Sequence, residues 1–253
     1  MDRTPPAEVR RQLRAEVGFG CPVPGCGNPY LAYHHFDPPW SVEQHHNPEG
    51  MIALCGEHHP KADAGAFTIA QLREFKNRRA DVVQGAFDWR RQSLLAIVGG
   101  NLYFETPKII VFRGSPLIWF DRDAYGDMLL SARMLSSSNE PRLWLDSNDW
   151  HLAGRPSHFE SPPNGRRINV RYDNGDALRV EFLSMDSRKQ AAVRHPHIRL
   201  DFWEEIPFPL TAVELQMDVG GTGVVLGPTI TRIGGITITG GLTKNCGAGL
   251  VIF

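Results

Sequence analysis

The 253-residue chain has few cysteines, no long apolar run and almost no net charge, and each shortage excludes a class of protein. Its apolar runs are far shorter than the roughly 18 to 20 residues of a membrane-spanning helix, so no membrane partner is expected. A formal net charge of −1 leaves no global basic field, so contact with nucleic acid must come from a local patch or a bound metal. Residues 1–20 are typical of a charged helix rather than a signal peptide, which predicts a cytoplasmic protein.

Three of the four cysteines form two closely spaced pairs of metal ligands, one of them with a histidine. Cys21 and Cys26 have four residues between them, and Cys55 and His58 have two. Structural zinc is held by four Cys or His ligands in a tetrahedron, and two such pairs supply them. In a reducing compartment the pattern predicts a structural Zn²⁺ site rather than disulfides. The alternative interpretation is three buried cysteines that are unrelated to one another.

The sequence pattern changes near residue 100, from helical segments to short strand-like runs, and the two parts together predict an α+β protein. In the first part, residues 6–17 and the segment "TIAQLREFKNRRA", which begins with a capping box, predict helices around the short strands "YLAYHHF" and "MIALC". In the second part, short β-branched and aromatic runs alternate with turns, and "VRYDNGDALRVEF" is typical of a hairpin. We expect a domain at 1–80, a helical linker at 81–107, and a mostly antiparallel β domain, sandwich or barrel-like, at 108–253.

Six of the ten histidines lie between residues 34 and 59. Neighbouring side chains of a strand point to opposite faces, so His34 and His35 should face different surroundings. At a helix start, Cys55 and His58 share a face, whereas His59 is rotated by roughly 100° and points elsewhere. Three imidazoles therefore remain beyond those that zinc requires. Satisfied core histidines are the alternative interpretation of these residues.

The segment "CPVPGCGNPYLAYHHFDPPWSVEQHHNPEGMIALCGEHHPKAD", followed by "GAFTIAQLREF", resembles the HNH endonucleases of the ββα-metal fold. The resemblance covers roughly residues 10–78: a zinc knuckle, a His-His pair on a strand, a strand ending in "LC", and Cys-x2-His-His at a helix start. It implies a metal-dependent endonuclease that hydrolyses phosphodiester bonds of DNA. Its catalytic cofactor would be Mg²⁺ or another divalent ion such as Mn²⁺ or Ni²⁺, beside the structural Zn²⁺.

The resemblance also assigns roles to single residues. His34 and His59 are expected to hold the catalytic metal, and His35 is expected to be the general base, since imidazole accepts a proton near neutral pH. Many members of the family have Asn five residues before the cysteine that corresponds to Cys55. This chain has Gly50 at that position. The expected counterpart is Asn47, with His46 as the competing residue.

Weaker candidates surround these residues. Asp63 is either a water-mediated metal ligand or a solvated helix residue. Basic side chains at the starts and faces of the helices are candidate contacts for backbone phosphates, although a solvated helix face explains them as well. The candidate phosphate contacts are Lys61, Arg73 and Lys76.

The predicted second domain, residues 108–253, contains no motif that indicates its function. HNH modules are commonly attached to domains that choose the target or keep the nuclease inactive. We therefore expect a prokaryotic antiviral defence or restriction effector, controlled through residues 108–253 by homo-oligomerisation or by a partner protein. The alternative function is a zinc-ribbon module that binds nucleic acid or protein without cutting, and the three extra histidines favour the nuclease.

Overall fold

A computed structural model describes residues 2–80, 83–162 and 164–253. The chain forms two compact units: residues 1–85 with 157–165, and residues 86–156 with 166–253. Its architecture is α+β, with few helices and many strands that pair mostly antiparallel. Within the described ranges, no helix is long and apolar enough to cross a membrane.

Helices and strands are numbered in chain order. Up to residue 104 they are α1 (Ala7–Glu16), β1 (Leu31–His35), β2 (Met51–Cys55), α2 (His58–Asp63), α3 (Ile69–Arg78), β3 (Gln84–Ala86), β4 (Leu94–Val98) and β5 (Asn101–Phe104). The next group is β6 (Lys108–Phe112), β7 (Ser115–Arg122), β8 (Met128–Arg133), β9 (Leu143–Asp146), β10 (Asp149–Leu152), β11 (His158–Glu160), β12 (Arg167–Arg171) and β13 (Ala177–Met185). The last group is α4 (Arg188–Arg194), α5 (Leu200–Glu204), β14 (Leu210–Val219), β15 (Val224–Leu226), β16 (Thr231–Ile233), β17 (Ile236–Ile238), β18 (Leu242–Lys244) and β19 (Ala248–Ile252).

The first unit is built on the antiparallel pair β1–β2, in which Leu31 lies opposite Cys55 and His35 lies opposite Met51. Every residue of β2 is buried, because its sequence is apolar throughout. Helices α1, α2 and α3 contact β2, and the apolar side chains of these elements form one core. The helices and the two strands that the sequence predicts for this segment are confirmed.

Helix α3 begins where the sequence predicts it. The Thr68 side chain accepts a hydrogen bond from the backbone N–H of Gln71, and the Gln71 side chain accepts one from the backbone N–H of Thr68. This capping box satisfies donors that the first helical turn would otherwise leave without partners. Leu72 and Phe75, three residues apart, then both reach the core.

The second unit contains two main runs of paired strands. One runs in the order β19-β6-β7-β8-β9-β10, and the other runs β12-β13-β14-β15-β16-β17, with β4 alongside β14 and β5 joining β4 to β18. The predicted Asn-Gly hairpin is β12–β13, with Arg171 opposite Ala177. Most of the pairs formed by the described residues are antiparallel, as predicted, whereas β4–β14, β5–β18 and β6–β19 are parallel.

The helical linker predicted for residues 81–107 is wrong where the structure describes it; residues 81 and 82 lie outside the described residues. Strands β4 and β5 occupy this segment, and all five residues of Leu94–Val98 are buried. A run that is apolar on both faces shows no alternation, so periodicity does not separate such a strand from a helix. A further difference is that residues 157–165, inside the predicted second domain, belong to the first unit.

Candidate functional site

Cys21, Cys26, Cys55 and His58, the predicted zinc ligands, converge in the first unit. The Sγ atoms of Cys26 and Cys55 are 3.7 Å apart, and the Nδ1 atom of His58 lies 3.5 Å from Cys21 Sγ and 3.2 Å from Cys55 Sγ. A tetrahedron with Zn–S arms of about 2.3 Å has edges of about 3.8 Å. The donor set and its spacing therefore fit a structural zinc ion.

The chain around the two ligand pairs explains this convergence. The first pair lies on a knuckle closed by hydrogen bonds from Cys26 N to the Val23 carbonyl and from Gly27 N to the Cys21 carbonyl; Gly25 has φ +78° in this turn. Burial raises the pKa of the Cys21 and Cys26 thiols, so thiolates here need a cation to offset their charge. The chemistry of the site, like its spacing, is that of a metal-binding knuckle.

A second group of possible metal ligands consists of His34, His59 and Asp63. The Nδ1 atom of His34 lies 3.0 Å from Asp63 Oδ1, and the Nδ1 atom of His59 lies 3.2 Å from Asp63 Oδ2. His34 is on β1, whereas His59 and Asp63 are four residues apart on α2 and therefore share a helix face. Strand and helix together place one carboxylate between two imidazoles.

The hydrogen bond that His59 makes on its other side fixes the direction of its lone pair. Its Nε2 atom lies 3.2 Å from the backbone carbonyl oxygen of Tyr33, so Nε2 carries the proton and donates it there. In the neutral ring Nδ1 then presents a lone pair to Asp63 Oδ2, which is also an acceptor. Two acceptors at 3.2 Å need a cation between them, either a proton or a metal ion. Metal-binding histidines commonly donate their second N–H to a carbonyl in this way.

His35 has different neighbours from His34. It is only 3% exposed, and among the described residues neither of its ring nitrogens has a hydrogen-bond partner. Its ring lies 4.7 Å from that of Trp40 and 5.2 Å from that of His45, centroid to centroid. Burial, reinforced by His45, lowers the pKa of His35 to about 4. The imidazole is therefore neutral near pH 7 and has an unused acceptor nitrogen.

The loop before β2 is held by His45 rather than by a direct contact of Asn47 with His35. The Nε2–H of buried His45 donates to the Pro38 carbonyl at 2.8 Å, and its Nδ1 accepts from the backbone N–H of Asn47 at 3.1 Å. The exposed Asn47 side chain accepts from Glu49 N and caps the short 3-10 turn that precedes β2. His46 lies further out, where its Nε2–H donates to the Asp2 carbonyl.

Gly50 cannot be exchanged for the Asn of the HNH pattern without moving the backbone. Its carbonyl accepts hydrogen bonds from the N–H groups of Phe36 and Asp37. A Cβ atom at residue 50 would lie 1.9 Å from the Asp37 carbonyl oxygen. This close approach of two chain segments explains the glycine.

The three predicted phosphate contacts are placed differently from one another. Lys76 is the least accessible of the three, because its side chain is 10% exposed and its ammonium is held by Glu16 at 3.2 Å and by the Pro48 carbonyl. Lys61 and Arg73 are exposed, and they pair with Glu57 and Asp37 respectively. Exposed pairs of this kind contribute little to stability, so both side chains can exchange their partner for a phosphate.

Two residues of this region, Arg3 and Trp40, could not be identified as site residues from the sequence. Arg3 lines the same cleft as His34 and His35, and its guanidinium is 3.8 Å from Asp63. Trp40 lines that cleft as well. An aromatic residue inside the polar loop "DPPWSVEQ" is the only hint of Trp40 in the sequence, and no local pattern indicates that Arg3 folds back onto β1.

No protein-family model, curated protein sequence or solved structure matches the chain. The functional assignment therefore depends on the chemistry of the two ligand groups and of the cleft beside them. The first group is a closed tetrad of soft donors, as in structural sites. The second has three donors, one of them a carboxylate that is 45% exposed, and this leaves positions for water and substrate.

Proposed function

We propose that the chain is a metal-dependent endonuclease of the HNH type that hydrolyses phosphodiester bonds of DNA. The observation that carries this proposal is the second ligand group, with His35 next to it. A carboxylate lies between two imidazoles at 3.0 and 3.2 Å, and the neighbouring cleft contains a buried imidazole whose nitrogens have no partner within the described residues. A module that only binds nucleic acid requires neither feature.

The residues present fit a divalent cation at His34, His59 and Asp63. Imidazole nitrogen together with carboxylate oxygen suits Mn²⁺ or Ni²⁺, and the carboxylate with open water positions suits Mg²⁺. When bound, such an ion supplies positive charge that offsets the negative charge growing on the phosphate oxygens and on the leaving oxygen. Asp63 is thus assigned as a direct ligand, rather than as the water-mediated one considered from the sequence.

His35 is assigned the proton transfer. Its neutral ring accepts a proton from a water molecule as the water oxygen bonds to phosphorus and the bond from phosphorus to the 3′ oxygen breaks. The leaving oxygen is then protonated from solvent. His45 and Asn47 act through the loop that covers His35, so they are positioning residues in this proposal. The zinc tetrad holds β2 and α2 in place and takes no part in the chemistry.

Plasmid cleavage by the full-length protein tests the proposal. The reaction should require added Mg²⁺ or Mn²⁺, and His35→Ala and His59→Ala should each lower its rate at least about 100-fold, as is usual for loss of a general base or a metal ligand. The matched control is His151→Ala, an imidazole of the second unit that stacks on Trp144. Binding of DNA without cleavage under all metal conditions would favour the zinc-ribbon binding module instead.

We also propose that residues 108–253 regulate this nuclease, as part of an antiviral defence or restriction system in the cytoplasm. Two features of the chain support it: a net charge of −1, which gives little autonomous affinity for DNA, and a second unit without a metal-ligand group among its described residues. Cleavage that depends on protein concentration or on a partner protein is the expected consequence.

A further inference from the structure

The cleft beside the second ligand group is lined by both polar and apolar side chains. It encloses about 350 Å³ and belongs entirely to the first unit. Its polar lining includes Arg3, His34, His35 and Asp63. Its apolar lining includes Pro39, Trp40, Phe67, Ile69 and Leu72. Ile69 is 45% exposed, so part of this apolar lining is open to solvent.

Trp40 is held in a defined position at this cleft. Its indole ring stacks on the imidazole of His46, with centroids 5.4 Å apart and planes 27° apart. His46 is in turn anchored by the hydrogen bond from its Nε2–H to the Asp2 carbonyl. The Trp40 ring is also 4.7 Å from that of His35. A half-buried aromatic ring is thus fixed immediately beside the candidate general base.

We propose that the apolar side chains of this cleft, with Trp40 beside His35, bind one unpaired nucleobase next to the scissile phosphate, so that the preferred substrate is single-stranded nucleic acid. The inference rests on the proposed nuclease and names its substrate class. In a duplex both faces of a base are covered by its neighbours in the stack, and a base reaches a protein ring only by leaving that stack. In a single strand the base faces are accessible, and aromatic side chains bind them with little regard to sequence.

The charged lining of the cleft agrees with this assignment. The Arg3 side chain, 56% exposed, lines the cleft beside Asp63 and can contact a phosphate attached to the bound nucleotide. The apolar side chains offer a surface from which a flat and weakly hydrated base would displace water. A net charge of −1 gives the chain no general electrostatic attraction for a duplex. One phosphate and one base therefore account for both kinds of lining residue.

Binding measured without cleavage tests the inference. Fluorescence anisotropy of the full-length protein, in mild EDTA that leaves the tightly held zinc in place, compares labelled single-stranded DNA, single-stranded RNA of the same sequence and duplex DNA. We expect a single strand to bind more tightly than the duplex. Trp40→Ala should weaken single-strand binding about tenfold and leave duplex binding unchanged, and Trp40→Phe should restore most of the loss. Preference between the DNA and RNA strands identifies the sugar that the site accepts.

Trp144→Ala is the matched control, since Trp144 also stacks on an imidazole, that of His151, at 4.9 Å and 18°, but lies in the second unit. Equal losses for single strand and duplex in Trp40→Ala, or no loss in either, overturn the base site. A parallel cleavage assay separates this outcome from failure of the nuclease. Equal cleavage of duplex and single strand overturns the substrate preference alone. No metal-dependent cleavage, with the Trp40 binding pattern intact, overturns the nuclease and supports the base site.

Discussion

Each unit places histidine next to a carboxylate, and the two groups differ in what neutralises the acid. In the second unit, Glu214 is 7% exposed and lies 3.1 Å from the Nε2 atom of His195. Arg194 donates two hydrogen bonds to it, at 2.7 and 3.1 Å. In the first unit, Asp63 lies between two imidazoles, and the nearest guanidinium, that of Arg3, is 3.8 Å away and 56% exposed.

The difference shows what separates a structural acid from a candidate ligand. A bidentate guanidinium satisfies both oxygens of Glu214 and supplies a full positive charge, so the protein itself completes that group. Asp63 faces nitrogens whose protonation depends on their other contacts, and at His59 the proton is used by the Tyr33 carbonyl. The group around Asp63 therefore has room for an external cation, and the group around Glu214 does not.

The largest expected effect is loss of zinc from the first unit. Structural zinc contributes about 10 to 16 kcal/mol in small folding units, as much as the whole stability of a typical domain. Cys55→Ala should therefore unfold the first unit and abolish zinc binding, as followed by circular dichroism and elemental analysis. Cys246→Ala, a change of the exposed cysteine near the chain end, is the control and should change neither. A wild-type protein that is purified folded and free of zinc would contradict this prediction.

The next effect contrasts the two acid groups directly. Arg194→Ala leaves Glu214 buried without its main partner and should lower the free energy of unfolding by about 2 kcal/mol, less than for a fully buried pair because Arg194 is partly exposed. His59→Ala should lower it by only about 1 kcal/mol, the value of the hydrogen bond to Tyr33. Urea denaturation of both variants measures the difference. A larger loss in His59→Ala than in Arg194→Ala would mean that the group around Asp63 is the structural one.

Much of the first unit was predictable because its signals are local. The spacings Cys21-x4-Cys26 and Cys55-x2-His58 lie on one turn each, and the capping box needs four residues. Strand alternation was enough to anticipate different neighbours for His34 and His35. Asp63 was uncertain, because its role depends on β1 approaching α2, which is a tertiary contact.

The features that the sequence does not predict are formed by residues that lie far apart along the chain. The segment Leu94–Val98 has no alternation, so its sequence predicts a helix as readily as a strand, whereas in the structure it pairs with β14 and β5. The return of residues 157–165 to the first unit, where Phe159 packs edge-on against Phe19, has no local signature. Arg3 and Trp40 reach the cleft for the same kind of reason, since no spacing rule relates them to His35.

The pairing of Glu214 makes the stability of the second unit depend on pH. Burial alone would raise its pKa, but the close contact with His195 and the two hydrogen bonds from Arg194 outweigh burial and lower the pKa to about 2 from the ordinary 4.5. A carboxyl with a depressed pKa in the folded state stabilises the fold above its unfolded-state pKa, and this contribution is lost as the pH falls through the folded-state value. The gap in unfolding free energy between wild type and Glu214→Gln should therefore narrow from about pH 4.5 to about pH 2. A gap that stays constant in urea denaturation over this range would contradict the pairing.

The smallest effect concerns self-association through the second unit. Strand β19 is the last in its run of paired strands, and near it Val251 is 41% exposed and Phe253 fully exposed. An uncharged strand at a sheet edge can pair with another chain, and a lysine there opposes such pairing. We expect light scattering to show a concentration-dependent oligomer that Val251→Lys weakens, while Val193→Lys, an exposed valine on α4, leaves it unchanged. A monomer with full cleavage activity at all concentrations would refute this.

Calorimetric titration of Mn²⁺ into the zinc-containing protein measures the cation that His34, His59 and Asp63 are assigned to hold. We expect one Mn²⁺ per chain in addition to zinc, with affinity reduced more than tenfold in Asp63→Asn and in His59→Ala. Glu214→Gln, the corresponding change in the other acid group, should leave the titration unaltered. If the wild type binds no Mn²⁺, or if binding survives both Asp63→Asn and His59→Ala, these residues do not form a metal site.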